Sequence, residues 1–143
     1  MSPNEPTLRI TRWIDAPPAK VFAALTDPVK IVRWWSPDAG PTLSAQVEVR
    51  AGGRFSVTFR TEDGDEHTSH GLYREVVPDE KLVFTWHLRE TPELASLVTV
   101  LLKPVNGGTE LILIHEGFPD EEVRDSHREG WKRALDKVQG LIT

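Results

Sequence analysis

Alternation of hydrophobic and polar positions predicts a series of β-strands that occupies most of the chain. The first lies at Leu8–Ile14, and the others lie between Thr42 and Phe118, separated by turns rich in glycine and acidic residues. Ala51-Gly52-Gly53 and Asn106-Gly107-Gly108 are the clearest hairpin turns. We therefore expect about seven antiparallel strands in one sheet, with an apolar face that another element must cover.

Two short helices are predicted after the first strand. They begin near Pro17-Pro18 and Asp27-Pro28, because proline is favoured in a first helical turn, where its missing N–H costs nothing. The second carries Ile31, Trp34 and Trp35 at i, i+3 and i+4, which places them on one face.

A long helix is predicted from Glu121 to about Leu141. It carries one apolar stripe at helical spacing, interrupted only by a histidine: Val123, His127, Trp131, Ala134, Leu135, Val138 and Ile142. This is the only element long enough to cover the sheet. The predicted fold is therefore α+β and of the helix-grip type, a curved antiparallel sheet of about seven strands wrapped around the C-terminal helix, with an apolar cavity between them. We expect residues 7–143 to form one domain and residues 1–6 to form a flexible tail.

Composition narrows the range of functions. The chain has 143 residues and no cysteine, which fits one domain and excludes disulfides, thiol catalysis and cysteine metal sites. A formal net charge of −5 without a basic cluster argues against nucleic acid or an anionic membrane as a partner. The opening residues lack the pattern of a secretory signal, and no apolar run approaches the ~20 residues of a membrane span. We expect a cytoplasmic protein.

An ordered set of short motifs resembles the START/Bet v 1-like superfamily, and within it the branch named after the activator of Hsp90 ATPase. The motifs are Ile14-Asp15-Ala16-Pro17-Pro18, Val21-Phe22, Leu25-Thr26-Asp27-Pro28, Trp34-Trp35, Gly52-Gly53-Arg54-Phe55, Gly71, Pro78, Leu82-Val83-Phe84-Thr85-Trp86, Gly108-Thr109-Glu110-Leu111, His115-Glu116-Gly117-Phe118, His127, Gly130-Trp131 and Leu135. The resemblance implies a domain with a hydrophobic cavity between sheet and helix. The superfamily includes lipid carriers, hormone receptors and polyketide aromatase/cyclases, so fold alone does not set the function. The chaperone activators have a further N-terminal domain, and because the first strand is predicted at Leu8, we expect neither that domain here nor an Hsp90-type chaperone as a partner.

The first hypothesis is non-catalytic binding of a small hydrophobic or amphipathic molecule. Seven residues are candidates to line its cavity: Trp35, Phe55, Tyr73, Trp86, His115, His127 and Trp131. Tyr73 depends on whether Gly71 marks a bulge that changes which face follows it. A pocket below about 300 Å³, or one filled by these aromatic rings, would argue against this hypothesis.

Two further hypotheses remain open. One is a cyclase- or hydrolase-like enzyme that uses His115 or His127 as proton acceptor, although Glu116 follows His115 directly and points to the opposite face of a regular strand. The other is a protein–protein interaction module, with a homodimer as one form. No residue is assigned as catalytic, because no nucleophile motif, P-loop or dinucleotide fingerprint occurs. No metal or cofactor is expected, and His67 and His70 lie on opposite faces of one predicted strand.

Overall fold

The computed structural model describes residues 6–88 and 91–143, so the predicted tail lies almost wholly outside the described residues. The helices and strands follow the predicted order: β1 (Thr7–Ile14), α1 (Pro18–Thr26), α2 (Pro28–Ile31), β2 (Thr42–Val47), β3 (Arg54–Arg60), β4 (Glu66–Val77), β5 (Lys81–Leu88), β6 (Thr91–Val105), β7 (Gly108–Glu116) and α3 (Glu121–Ile142). Within this part of the chain, seven antiparallel strands form one sheet in the order β1-β7-β6-β5-β4-β3-β2. The α+β helix-grip prediction is confirmed.

The strands alternate as the sequence predicts, and their inward residues form the core. On β3, Phe55, Val57 and Phe59 are buried, while Arg54 and Arg60 at the strand ends are exposed. The inward face of the sheet is likewise largely apolar on the other strands, although it also holds buried polar side chains such as His115. Burial of this face against α3 supplies most of the driving force for the fold.

Helix α3 covers the apolar face. The Asp120 carboxylate caps its first turn by accepting a hydrogen bond of 2.9 Å from the Val123 amide. The predicted stripe is buried along Trp131, Leu135 and Val138. Among the described residues, no helix is long and apolar enough to cross a membrane.

Helix α2 ends earlier than the spacing of its apolar residues predicts. It stops at Ile31, and the amides of Trp34 and Trp35 both donate to the Ile31 carbonyl at 3.1 Å in the turns that follow. Both indoles are nevertheless buried, at 3% and 8% exposure. The local hydrogen bonding is that of turns, and the burial of the two rings comes from tertiary packing.

The sheet is irregular at Gly71, but the irregularity does not turn Tyr73 outward. A Cβ at Gly71 would lie 2.1 Å from the Thr85 carbonyl oxygen, and the Leu72 amide donates to the Thr85 hydroxyl at 2.9 Å. Tyr73 still pairs with Phe84 and is buried; the register shift comes after it, before Glu75.

Candidate functional site

An open cleft lies at one end of the contact between the sheet and α3, and its volume is about 280 Å³. Its walls come from three parts of the chain: α3, the segment after α2, and strands β3, β4 and β5 with the turn between β3 and β4. The lining residues are Trp34, Trp35, Pro37, Phe59, Thr61, His67, Trp86, Ser126, His127, Gly130, Trp131 and Ala134. The cleft is therefore mostly apolar, with hydroxyl and imidazole groups among its lining.

Behind the cleft, the space between sheet and helix is filled. Only about 20 Å³ remains there, because Phe55, Tyr73 and Phe84 pack against one another with ring centroids 5.3 to 6.2 Å apart. Burial raises the pKa of Tyr73 to about 12. The interior is thus core, and the predicted apolar cavity is open only at its end. The filled interior meets the condition that argues against a large enclosed cavity, and the open cleft of about 280 Å³ lies just below the bound of about 300 Å³, which leaves room only for a ligand that is small or extends through the mouth.

Two tryptophans stack where the cleft meets the interior. The rings of Trp35 and Trp86 lie 5.1 Å apart between centroids, with planes only 11° from parallel. Trp131 approaches both rings, at 6.4 Å from Trp35 and 5.4 Å from Trp86. A residue from the loop, one from the sheet and one from α3 thus form a single aromatic cluster.

His115 lies fully buried behind this cluster. The Trp131 indole donates to its Nδ1 at 3.0 Å, so in the neutral ring Nε2 carries the hydrogen and donates to the Ser96 hydroxyl at 2.7 Å. Ser96 in turn donates to the Trp86 carbonyl at 3.2 Å. Burial, and to a smaller extent the nearby His127, lower the pKa of His115 well below its usual value. Both ring nitrogens are engaged, so His115 has no lone pair free to accept a proton from a ligand.

His127 lines the cleft, 5.5 Å from His115 between ring centroids. Its Nδ1 lies 2.9 Å from the Val123 carbonyl oxygen, which can only accept, so Nδ1 carries the hydrogen. The other nitrogen, Nε2, keeps its lone pair and has no hydrogen-bond partner in the described part of the chain. Burial lowers the pKa of His127, although the bond to Val123 opposes this shift. Near pH 7 the side chain is therefore a neutral acceptor at the cleft.

The indole N–H groups differ in their hydrogen bonding. Trp34 donates to the Ala24 carbonyl at 2.7 Å, Trp13 to the Val105 carbonyl at 2.8 Å, and Trp131 to His115. The N–H groups of Trp35 and Trp86 are buried without a partner among the described residues. A buried donor left unpaired costs about 1–3 kcal/mol. Both residues line the cleft.

A lysine on α3 holds the loop that forms one wall. Lys137 donates through Nζ to the carbonyls of Ser36 and Asp38, at 2.8 and 2.5 Å. The Asp38 carboxylate accepts from the amides of Gly40 and Glu62, at 2.8 and 3.0 Å, which ties the loop to the turn after β3. These contacts fix the position of Pro37 between α3 and that turn.

The structure places the seven predicted site residues in three groups. Trp35, Trp86, His127 and Trp131 line the cleft. Phe55 and Tyr73 line the filled interior, and His115 lies behind Trp131. Sequence reasoning missed other lining residues, among them Trp34, Pro37, Phe59, His67 and Gly130. Phe59 could have been predicted as a lining residue from its alternation with Phe55 on β3. The lining residues that lie in the loop show no comparable hydrophobic pattern.

The histidine pair on β4 is divided between the two faces, as predicted. His67 stacks on Phe59 at 5.4 Å on the cleft side, and His70 stacks on His87 at 5.2 Å. Within the described residues, no three histidine, aspartate or glutamate side chains converge in a way that suits a metal ion.

The comparisons with known proteins agree with this architecture. The family model described as "Activator of Hsp90 ATPase homolog 1-like protein" matches residues 15–143. A search of curated proteins finds no match to the chain.

Several solved structures resemble the chain over nearly its whole length. Protein CV1439 from Chromobacterium violaceum is 28% identical, with a TM-score of 0.83 and coverage of 96% of this chain and 97% of that one. The SPO3351 protein from Silicibacter pomeroyi is 26% identical, with a TM-score of 0.83 and coverage of 94% and 96%. CalU16 from Micromonospora echinospora is 26% identical, with a TM-score of 0.69 and coverage of 92% and 73%. The shared helix-grip architecture therefore extends over the whole domain.

Proposed function

The chain belongs to the family of activator of Hsp90 ATPase homolog 1-like proteins, whose fold suits ligand binding, and we propose that it binds a small, largely apolar molecule without transforming it. The observation that carries the proposal is the cleft of about 280 Å³, walled by Trp35, Trp86 and Trp131 and open at its mouth. Its size favours a compact ligand of one to three rings over a sterol or a long acyl chain.

The enzyme hypothesis has less support. His115 has both nitrogens engaged in hydrogen bonds, so a proton acceptor in the cleft would be His127. A general base also needs a carboxylate, a nucleophile or an oxyanion donor to act with. The described residues that line the cleft include the hydroxyl groups of Thr61 and Ser126, but they carry no carboxylate and, apart from histidine, no cationic side chain. Binding alone is the simpler function for this set of side chains.

Fluorescence of an uncharged apolar dye tests the proposal. Phenylnaphthylamine emits strongly only in apolar surroundings, so a saturable rise in emission is expected on titration of the protein. Trp86→Leu removes a ring from the cleft wall and is expected to weaken binding about tenfold. Trp13→Leu is the matched control, because Trp13 is 45% exposed and packs against Gly108 and the end of β6, away from the cleft.

Two outcomes would contradict the proposal. One is emission that does not saturate while the protein remains folded by circular dichroism. The other is equal weakening by Trp86→Leu and Trp13→Leu, which would place the dye elsewhere on the surface.

A further inference from the structure

The cleft combines hydrogen-bonding groups of a specific kind with an apolar surround. His127 offers the Nε2 lone pair, because its Nδ1 hydrogen is committed to the Val123 carbonyl. The indole N–H groups of Trp35 and Trp86 have no partner among the described residues either, but both nitrogens are buried and have no surface open to the cleft. The acceptor that the cleft offers to a ligand is therefore Nε2 of His127.

The lining also restricts the charge of a ligand. No lysine, arginine, aspartate or glutamate is among the described lining residues, and the pKa of His127 is lowered, so it is neutral near pH 7. A charged ligand group would lose hydration here without gaining a counter-charge. An uncharged ligand avoids this penalty.

Resting on the proposed function, we infer that the ligand of the cleft is an uncharged, planar aromatic molecule with a hydroxyl group, which donates to Nε2 of His127. A hydroxyl group both donates one hydrogen bond and accepts others. The ring of Trp86 lies beside this acceptor, with its centroid 6.4 Å from that of His127. The flat ring system fits beside the stacked indoles of Trp35 and Trp86.

A matched set of two-ring probes distinguishes the contribution of the hydroxyl group to binding from that of the aromatic rings. The probes are 2-naphthol, its methyl ether 2-methoxynaphthalene, and naphthalene itself. The ether retains an oxygen acceptor but has no hydrogen to donate. We expect 2-naphthol to bind about three- to tenfold more tightly than the ether by isothermal titration calorimetry, which corresponds to one hydrogen bond.

Variants of His127 test whether the difference in affinity between 2-naphthol and its methyl ether arises from Nε2 of this residue. His127→Leu keeps the apolar stripe of α3 but removes the acceptor, so the preference for 2-naphthol should disappear. His127→Gln restores an acceptor oxygen and should recover part of it. His87→Leu, which removes a histidine that does not line the cleft, is the control and should leave the preference unchanged.

Nuclear magnetic resonance of the five indole N–H groups supplies a second measurement. On addition of 2-naphthol, the Trp35 and Trp86 indole protons should shift, because an aromatic ring bound against these two side chains changes their magnetic surroundings, while the Trp13 proton should not move. Each signal is assigned by the Trp→Phe variant that removes it.

The outcomes distinguish this inference from the proposed function. Equal binding of all three probes, with the Trp86 signal perturbed, overturns the hydroxyl inference and leaves binding in the cleft intact. A preference for 2-naphthol that persists in folded His127→Leu also overturns it. Failure of every probe to bind overturns both proposals.

Discussion

The indole N–H of Trp131 on α3 donates a hydrogen bond to Nδ1 of His115 on β7 across 3.0 Å, and both side chains are buried. This bond joins the helix to the sheet directly behind the cleft. It also fixes the tautomer of His115, whose Nε2–H then bonds to Ser96. Trp131 is therefore a wall of the cleft and a structural tie at once, which makes it a poor position at which to test binding alone.

Trp131→Phe should lower the free energy of unfolding by about 2–4 kcal/mol. The variant removes part of a buried ring and leaves Nδ1 of His115 without its donor, and each loss is worth about 1–3 kcal/mol. Urea unfolding followed by circular dichroism measures the change. Trp13→Phe is the control: its indole also donates a hydrogen bond, in this case to the Val105 carbonyl, but the side chain is 45% exposed, so a loss below about 1 kcal/mol is expected. Equal losses in the two variants would contradict the structural role of the Trp131 bond.

Stability should fall as the pH drops below the usual histidine pKa of 6.5, because of His115. Burial, with a smaller contribution from His127, lowers the pKa of His115 in the folded protein, so below pH 6.5 the unfolded chain binds a proton that the folded chain does not. The free energy of unfolding then decreases with falling pH by up to about 1.4 kcal/mol per unit, until the folded pKa is reached. Above pH 7.5 this contribution is constant.

His115→Asn tests the assignment of that pH dependence. Asparagine keeps an oxygen that can accept from Trp131 but does not titrate. We expect a variant less stable than the wild type at pH 7.5, with a shallower decline between pH 7 and 5. Part of the decline should remain, because burial also lowers the pKa of His127. Identical slopes for the two proteins would show that His115 does not cause the effect.

The sequence predicts the strands and α3 well because each has a strong hydrophobic period. On β3, Phe55 and Phe59 alternate with polar residues, and on α3 Trp131 and Leu135 recur at helical spacing. Such local patterns specify which face is buried. They do not specify whether an inward aromatic ring fills the core or lines a cavity.

That second distinction depends on tertiary packing. Phe55 and Trp86 are both inward residues of the sheet, yet Phe55 meets Tyr73 and Phe84 in the interior while Trp86 reaches the cleft. His115 falls on the same pattern and is enclosed because Trp131 bonds to it from the helix. The loop wall at Pro37 depends on Lys137, which lies 100 residues further along the chain, and no local pattern reveals that contact.

Lys137→Met should loosen the loop between α2 and β2. The ammonium group donates to the carbonyls of Ser36 and Asp38, and its loss should lower the free energy of unfolding by about 1–2 kcal/mol. Amide hydrogen exchange at Gly40, which donates to the Asp38 carboxylate, should accelerate more than exchange in the core strands. Lys132→Met is the control. Lys132 forms an exposed ion pair with Glu129 over 3.7 Å, and such a pair contributes little to stability, so this variant should change neither measurement appreciably. Unchanged exchange at Gly40 would exclude a role for Lys137 in holding the loop.

Two glycines of α3, Gly130 and Gly140, provide a matched pair of substitutions, of which only the first should affect the cleft. Alanine is favoured over glycine in a helix by up to about 1 kcal/mol. At Gly140 a Cβ meets nothing within 4 Å, so Gly140→Ala should stabilise the protein by about 0.5 kcal/mol in this last helical turn. At Gly130 the Cβ would lie 3.1 Å from the Pro37 Cβ, so the loop must move by a few tenths of an ångström and the gain should be cancelled.

Ligand binding should also distinguish Gly130→Ala from Gly140→Ala. Gly130 lines the cleft and Gly140 does not, so Gly130→Ala adds a methyl group to a space of about 280 Å³. We expect Gly130→Ala to weaken 2-naphthol binding several-fold, because a small cavity loses proportionally more room than a large one, and we expect Gly140→Ala to leave binding unchanged. Thermal unfolding and calorimetric titration of both variants check the two effects independently. Unweakened binding to a folded Gly130→Ala would place the ligand away from the contact between α3 and Pro37.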